Sequence, residues 1–194
     1  MRIVIVGAGE VGQHLAKLLS SEEQDIILVD NDADKLARID SNYNLMTQIG
    51  SPSSFAALRE AGADEDCDLF IAVTPHEDTN LIACEIAKSL GATRTVARID
   101  NIEYLSTDHR QFFLQHGINV LIYPEYLAAL EIKTALQHPW ARQWFELHKG
   151  ELILIGVKIR ENSSIVGQKL KDLTMSNHNF HVAAISRRHE TVIP

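Results

Sequence analysis

Residues 2–12 read RIVIVGAGEVG, and this stretch decides the fold. Its first part, Ile3–Val6, is an unbroken β-branched run, which is typical of a strand buried on both faces. Its second part has the spacing Gly-x-Gly-x-x-Gly, and apolar residues then recur at positions 11, 15, 18 and 19 with helical spacing. The stretch therefore predicts a strand, a glycine turn and a helix.

Five further strand–helix pairs follow the first one. Predicted strands cover residues 25–30, 45–49, 69–73, 95–99 and 120–123, and predicted helices cover residues 35–40, 53–62, 78–90, 102–116 and 126–137. Strict alternation indicates a parallel sheet, because parallel neighbours need crossover connections. Right-handed crossovers then give an α/β fold of the doubly wound Rossmann type with six strands.

The pattern changes after His138-Pro139. Predicted strands cover 143–147, 151–159, 181–186 and 191–193, with a hairpin turn at 148–150, a short helix over 165–173 and a turn at 188–190. The last strand stops at Pro194, so we expect a piece of a longer protein. We divide the chain into a Rossmann-type domain (1–126), a connecting helix (127–140) and an incomplete small α+β C-terminal domain (141–194).

Composition limits the functional classes. The chain has 194 residues and a formal net charge of −8, which argues against binding nucleic acid and against docking on anionic lipid by charge. Cys67 and Cys84 lack metal-ligand spacing and fit a reduced cytosolic compartment. No apolar run approaches the roughly 20 residues of a membrane span, so we expect a cytoplasmic chain that reaches a membrane only through a partner.

The glycine motif predicts a phosphate site. Gly7 permits a tight turn, Gly9 lets the backbone approach a pyrophosphate, and Gly12 lets the helix pack on the strand. The N-terminus of that helix presents free N–H groups and a partial positive charge. The alternative is a glycine turn that binds no ligand.

Asp30 ends the second predicted strand, 18 residues after Gly12. A carboxylate in this position can accept hydrogen bonds from the ribose diol of an adenosine. The next residues, Asn31 and Asp32, are not basic, so NAD or an adenine nucleotide is favoured over NADP. The alternative for Asp30 is a simple helix cap.

The carboxyl ends of the later strands supply further candidates, because ligands bind there in such sheets. Val73 and Thr74 follow the fourth strand, and Arg98 near the end of the fifth can pair with a phosphate. The alternatives are a turn-capping hydroxyl at Thr74 and a surface ion pair at Arg98.

We assign no catalytic and no metal-binding residue. His76 follows Thr74 but has no serine or cysteine nucleophile in a recognisable elbow. Five further histidines show no metal-ligand spacing: His109, His116, His178, His181 and His189.

Several separated strings resemble one known family, the TrkA proteins, which are cytosolic regulatory subunits of Trk potassium-uptake systems and contain RCK (KTN) domains. The strings are GAGEVG (7–12), VD (29–30), LREAGAD (58–64), FIAVT (70–74), TNLIAC (79–84) and ARI (97–99). The resemblance covers about residues 1–137, and SIVGQKL (164–170) is similar to the start of the small C-terminal domain of that family.

The resemblance implies that NAD(H), and also ATP or ADP, bind in the cleft. It implies a homo-oligomer, built from a dimer of nucleotide domains, beneath a TrkH-like membrane potassium transporter subunit, and it places Glu125 near the phosphates at the dimer interface. With the residues above, the candidate cofactor-binding set is Gly7, Ala8, Gly9, Glu10, Val11, Gly12, Asp30, Asn31, Val73, Thr74, Arg98 and Glu125.

The sequence departs from the family pattern in two respects. Ser51 stands where many relatives have an acidic residue after the third strand. This difference affects the expected contacts with the adenosine part of a ligand. One copy of the unit is present, whereas TrkA proteins have two.

We therefore expect a non-enzymatic regulatory subunit that senses NAD(H) or adenine nucleotides. The main alternative is the cofactor-binding part of an NAD-dependent oxidoreductase, which would need an acid or base from a substrate domain. A nucleotide-binding module of another transporter is a third interpretation.

Overall fold

The computed structural model describes residues 1–22, 24–40, 45–64, 66–172, 180–188 and 190–194. The chain divides into two compact units, Met1–Glu131 and Ile132–Pro194. Each unit is described by itself below.

The first unit contains a six-stranded parallel sheet. Its strands are β1 (Arg2–Val6), β2 (Asp25–Asp30), β3 (Met46–Ile49), β4 (Leu69–Ala72), β5 (Arg94–Arg98) and β6 (Val120–Ile122). The helices are α1 (Glu10–Ser20), α2 (Ala33–Asp40), α3 (Phe55–Glu60), α4 (Glu77–Leu90), α5 (Thr107–Gln115) and α6 (Pro124–Gln137), the last of which continues into the second unit. The strand order β3-β2-β1-β4-β5-β6 confirms the predicted doubly wound fold.

Strand β1 lies at the point where the strand order reverses. Its last residue, Val6, pairs with Val29 of β2 on one side and with Ala72 of β4 on the other. Ligands of such sheets bind outside the carboxyl ends of the strands at this switch point. The glycine turn after Val6 therefore lies where a ligand is expected.

The sheet is buried on both faces, which explains the unbroken apolar run of β1. Val4 and Val6 pack into one core layer with Leu58 of α3 and Ala83 of α4. The alternate residues of β1, Ile3 and Ile5, pack into a second layer on the other face of the sheet. This layer includes Ala16, Leu36 and Ile39 from α1 and α2. Alternate residues of a strand point to opposite faces, so two buried faces need apolar residues at every position.

The predicted single helix over 102–116 is wrong at its start. A separate 3-10 turn, Ile102–Leu105, precedes α5. Asn101 caps this turn by accepting a hydrogen bond from the N–H of Glu103 at 3.0 Å. Ser106 then has extended backbone (φ −61°, ψ 152°), so the helical bonding cannot continue through it.

Other boundaries differ by one or two residues. Strands β4, β5 and β6 end one residue earlier than predicted. Helix α4 begins at Glu77, one residue earlier than predicted, because His76 already has the extended backbone of an N-cap. Helix α3 is capped by Ser54, whose hydroxyl accepts from the N–H of Ala57.

The second unit contains two antiparallel hairpins. Strands β7 (Gln143–Leu147) and β8 (Leu152–Gly156) pair across a 3-10 turn, His148–Gly150. The predicted strand over 151–159 is too long. Strand β8 ends at Gly156, because Gly156 pairs with Gln143, which is the first residue of β7. The second hairpin joins β9 (Ile185–Arg187) to β10 (Glu190–Val192), so the prediction of a strand over 181–186 is wrong for most of its length.

The predicted helix over 165–173 is also wrong at its start. Residues 164–167 form a turn, and helical backbone begins only at 170. Gly167 has a φ of 81°, a left-handed value that interrupts a right-handed helix. Leu173 is the predicted end of this helix, and His189 is the centre of the last predicted turn. Both lie outside the described residues.

The division at residues 126 and 140, and the nature of the second unit as an incomplete C-terminal domain, stay predictions. None of the helices in the described ranges combines the length and the apolarity needed to cross a membrane.

Candidate functional site

Gly7 begins the turn after β1 with a φ of 104°, which L side chains rarely adopt. Its N–H donates to the carbonyl oxygen of Val29 at 2.8 Å. A Cβ at Gly7 would lie 2.8 Å from the backbone nitrogen of Thr74. The fold itself therefore requires glycine at this position.

Gly12 is buried in the first turn of α1. A Cβ added to it would collide with the carbonyl oxygen of Gly7. Helix α1 thus packs directly on the turn that precedes it, and this packing requires glycine whether or not a ligand is present.

Gly9 differs from these two glycines. It is the N-cap residue of α1, with φ −73° and ψ −174°, a conformation open to any residue, and no side chain caps the helix. A Cβ at Gly9 would meet no atom within 4 Å. The fold does not need a glycine here, but a side chain would occupy the open space in front of the first N–H groups of α1, which have no acceptor within the helix.

The residues next to Gly9 differ in exposure. Glu10 is exposed in the first turn of α1, while Ala8 is buried and Val11 packs partly against the core layer of α1 and α2. The side chain of Gln13 donates to the carbonyl oxygen of Ala8 at 2.8 Å, which braces the turn from the helix side.

Asp30 is buried and bonded to the glycine turn. One carboxylate oxygen accepts from the N–H of Ala8 at 2.6 Å, and the other accepts from the N–H of Asp32 at 2.9 Å. The carboxylate therefore holds the turn in place, a role that sequence reasoning did not assign to it. Each oxygen has a second lone pair, so the predicted contact with a ribose diol stays compatible with these bonds.

Beyond Asp30 the chain is acidic. Asn31 is exposed, and the Asp32 carboxylate caps α2 by accepting from the N–H groups of Asp34 and Lys35 at 3.0 and 3.2 Å. The hydrogen bond from the backbone N–H of Lys35 holds the pKa of Asp32 below its usual range. Asp32 is therefore a carboxylate at neutral pH, next to the position predicted for the ribose.

Thr74 is tied to the turn that follows β4. Its hydroxyl donates to Oδ1 of Asn80 at 2.7 Å, and its N–H donates to the same oxygen at 2.9 Å. The preceding residue, Val73, is buried, and its N–H donates to the carbonyl oxygen of Val6 at 2.8 Å. The hydroxyl oxygen of Thr74 also accepts from the N–H of His76 at 3.3 Å, which is the turn-capping bond of the alternative interpretation. Contact of Thr74 with a ligand stays a prediction.

Arg98 and Glu125, predicted independently as site residues, form an ion pair with 2.8 Å between Nη2 and Oε1. Arg98 ends β5 and Glu125 lies in the first turn of α6. A shallow depression with a cavity volume of only about 10 Å³ adjoins Arg98 and Thr74 at the ends of β4 and β5. The alternative interpretation of Arg98 as an ion-pair residue describes its geometry in this structure, and its phosphate contact stays a prediction.

Sequence reasoning missed two residues at this end of the sheet. Asn80 is fully buried in α4 and bonds to both strand-end loops. Glu77 accepts from the N–H groups of Asp100 and Asn101, both at 3.0 Å. Asn80 had a detectable signal, because it shares a helical face with the apolar Cys84 and Ala87 at spacings of four and seven residues; Glu77 had none.

The two thiols are protonated at neutral pH. Burial raises the pKa of Cys67 to about 11 and that of Cys84 to about 12. Within the residues that the structure describes, no group of three His, Cys, Asp or Glu side chains is arranged to hold a metal ion. His178 and His189 lie outside those residues.

Comparison with known proteins gives a family match. The model of the TrkA-N domain matches residues 3–124. A Trk system potassium uptake protein TrkA from Halomonas elongata is 40% identical over 200 residues, which cover 100% of this chain and 43% of the relative. The chain therefore spans less than half the length of this relative. The name of this relative describes a potassium-uptake protein and not an oxidoreductase.

Solved structures share the fold at lower identity. The GsuK channel bound to NAD is 18% identical, with a TM-score of 0.53 over 63% of this chain and 21% of that one. The Kef CTD of Shewanella denitrificans in its AMP-bound form is 21% identical, with a TM-score of 0.56 over 71% of this chain and 80% of that one. At these identities the likeness shows the fold alone.

Proposed function

This chain belongs to the TrkA-N domain family, and from that premise we propose that it is a cytoplasmic regulatory subunit of a potassium-uptake system. Its proposed role is to bind NAD(H), ATP or ADP and thereby to gate a TrkH-like membrane potassium transporter subunit. The observation that carries the proposal is the open space in front of Gly9, at the N-terminus of α1 and at the switch point of the sheet. It is supported by the potassium-uptake name of the Halomonas relative.

The residues around Gly9 suit a nucleotide phosphate. The partial positive charge of the α1 N-terminus favours an anion, and the missing side chain at Gly9 allows it to approach the backbone. Asp30 holds the turn through Ala8 and retains lone pairs for the ribose. Bound NAD would add a redox-active nicotinamide, but the proposed role uses the binding of the nucleotide and not its chemistry.

We propose that Arg98 and Glu125 act at the phosphate end of the same ligand. A phosphate oxygen is a strong acceptor for a guanidinium, so a bound phosphate would compete with the Glu125 carboxylate for Arg98. Glu125 is more exposed than Arg98, with 56% against 25% of the side chain accessible. The carboxylate is therefore the partner that is freer to move away.

The charge around Asp30 favours NAD over NADP. Asp32 is ionised at neutral pH because of its hydrogen bond with the N–H of Lys35, and the nearest lysine, Lys35, already pairs with it at 3.6 Å. A 2′-phosphate on the ribose would meet negative charge at Asp30 and Asp32.

We expect calorimetric titration of the purified chain to show binding of NAD, NADH, ATP and ADP, with NAD bound at least about tenfold more tightly than NADP. The double variant Asn31→Arg/Asp32→Asn is the matched test, because asparagine still caps α2 while the charge at the ribose becomes positive. This variant should reduce or reverse the preference for NAD over NADP. If no nucleotide binds, the proposed function is wrong.

We further propose that a second copy of this chain packs on α6. None of the α6 residues is buried, although Tyr126, Leu127 and Leu130 are large and apolar and are 37–50% exposed. A helix with such residues needs a partner surface, since apolar area in water is unfavourable. Sedimentation during the titration tests this proposal: a dimer or a higher oligomer is expected, and a monomer at all concentrations and with all nucleotides would refute it.

The proposed gating is a shift between two arrangements of paired domains. A nucleotide can cause such a shift only if it binds one arrangement more tightly than the other. Affinity ratios of 5–150 are typical of coupled sites, which correspond to about 1–3 kcal/mol.

Potassium flux through a reconstituted TrkH-like partner tests the gating proposal. With the native protein we expect nucleotide addition to change the flux by roughly fivefold or more. With Gly9→Asp, which removes the space for the phosphate, the flux should not respond to nucleotide. An equal response of both proteins would contradict the proposal.

A further inference from the structure

Asn80 is a fully buried amide near the start of α4. Its Oδ1 accepts from the N–H of Thr74 at 2.9 Å and from the Thr74 hydroxyl at 2.7 Å. Its Nδ2 donates to the carbonyl oxygens of Thr74 at 3.0 Å and of Arg98 at 2.9 Å. An amide has two N–H donors and two acceptor positions, so these two residues satisfy it completely.

The four bonds join the loop after β4 to the last residue of β5. The last register pair between β4 and β5 is Ala72 with Ala97, and Asn80 continues the link to the next residues. Thr74 in turn lies against the glycine turn, because a Cβ at Gly7 would be 2.8 Å from its nitrogen. Arg98 also pairs with Ile122 of β6, and Asn80 adds the link between the Arg98 backbone and the loop that lies against the glycine turn.

This attachment contributes to the placement of the Arg98 side chain. Arginine has a long, flexible stem, so a shift of its backbone moves the guanidinium relative to any fixed anion. The carbonyl oxygen of Arg98 is held by Asn80, and its guanidinium is held by Glu125.

We infer that Asn80 is a positioning residue, which sets the contact of Arg98 with the phosphates of a bound nucleotide. This inference rests on the proposed function. Thr74 and Arg98 occupy all the hydrogen-bonding positions of Asn80, so its effect should act through Arg98 and be confined to the phosphate part of the affinity.

The test compares ADP with adenosine on the purified chain. Asn80→Asp keeps the shape of the side chain but removes both N–H donors, including the one to Arg98. We expect the affinity for ADP to fall about tenfold, the size of one hydrogen bond to a charged group, while the affinity for adenosine changes by less than about twofold. In an Arg98→Gln background, the same substitution should have no further effect on ADP.

A matched control separates positioning from general destabilisation. Asn119 makes a comparable link at the opposite end of β5, where its Oδ1 accepts from the N–H of Thr95 at 2.8 Å. Asn119→Ser should lower the stability but leave the ADP affinity unchanged. Asn80→Ser, which loses the reach to Arg98 without adding a charge, replaces Asn80→Asp if a buried carboxylate prevents folding.

The outcomes distinguish the inference from the function. If the native chain binds no ADP, the proposed function and this inference are both wrong. If it binds ADP, but the Asn80 variants weaken the binding of ADP and of adenosine equally, only the inference is wrong. The same holds if the loss of ADP affinity caused by the Asn80 variants adds fully to the loss caused by Arg98→Gln.

Discussion

The Gly9→Asp variant is expected to lose nucleotide binding by more than about 100-fold, or ~2.8 kcal/mol, with its fold intact. Gly9 has extended backbone at the N-cap of α1, and a Cβ there meets no atom within 4 Å. Aspartate is a good N-cap residue, so it should preserve or raise the stability. Its carboxylate would fill the space proposed for a phosphate and repel it. Calorimetry with ADP and NAD, together with thermal unfolding, measures both effects.

Gly9→Asn separates charge from bulk. Asparagine has nearly the same shape and caps helices as well as aspartate does, so it should weaken binding less than Gly9→Asp. A Gly9→Asp protein that is folded and binds ADP with native affinity would show that no phosphate lies at this helix terminus.

The Gly12→Ala variant is expected to lose about 3 kcal/mol or more of unfolding free energy. The added Cβ would collide with the backbone carbonyl oxygen of Gly7. Neither atom is the end of a flexible side chain, so only a movement of α1 or of the turn can relieve the collision, and both belong to the packed centre of the sheet. Urea unfolding followed by circular dichroism measures the loss.

Gly9→Ser is the control for Gly12→Ala. It also adds a Cβ to the glycine motif, but into open space and with a capping hydroxyl, so its stability should stay within about 0.5 kcal/mol of the native value. Equal losses in the two variants would contradict the assignment of a structural role to Gly12 and a ligand role to Gly9.

Much of the first unit was predictable because its signals are local. The β-branched run of β1 and the glycines after it lie within residues 2–12 and determine the strand, the turn and the helix. The order of the sheet then follows from the alternation of strands and helices, which permits few topologies.

The partners of the site residues were not predictable, because they come from distant parts of the chain. Asp30 was identified as a carboxylate at a strand end, but its bond to Ala8 spans 22 residues. Arg98 and Glu125 were chosen separately, and their pairing depends on where β5 and α6 start and end. Asn80 was missed although its position on the apolar face of α4 indicated burial, because that position does not show which backbone groups the amide bonds.

The predicted length of a strand was wrong where hydrophobicity was the only signal. The apolar residues after Gly156 indicated a longer strand, but a strand ends where its neighbour ends. The helix over 102–116 failed for a different reason, because a capping side chain at Asn101 and an extended Ser106 outweighed the helical pattern.

Helix α6 has 14 residues and none of them is buried. Isolated helices shorter than roughly 12–15 residues are only marginally formed in water, so a surface that covers α6 would add to the stability of the helix. If the proposed second copy supplies that surface, the folding of α6 and the assembly of the protein become a single equilibrium. Dilution would then unwind α6, and the strength of association would include the entropy lost in forming it.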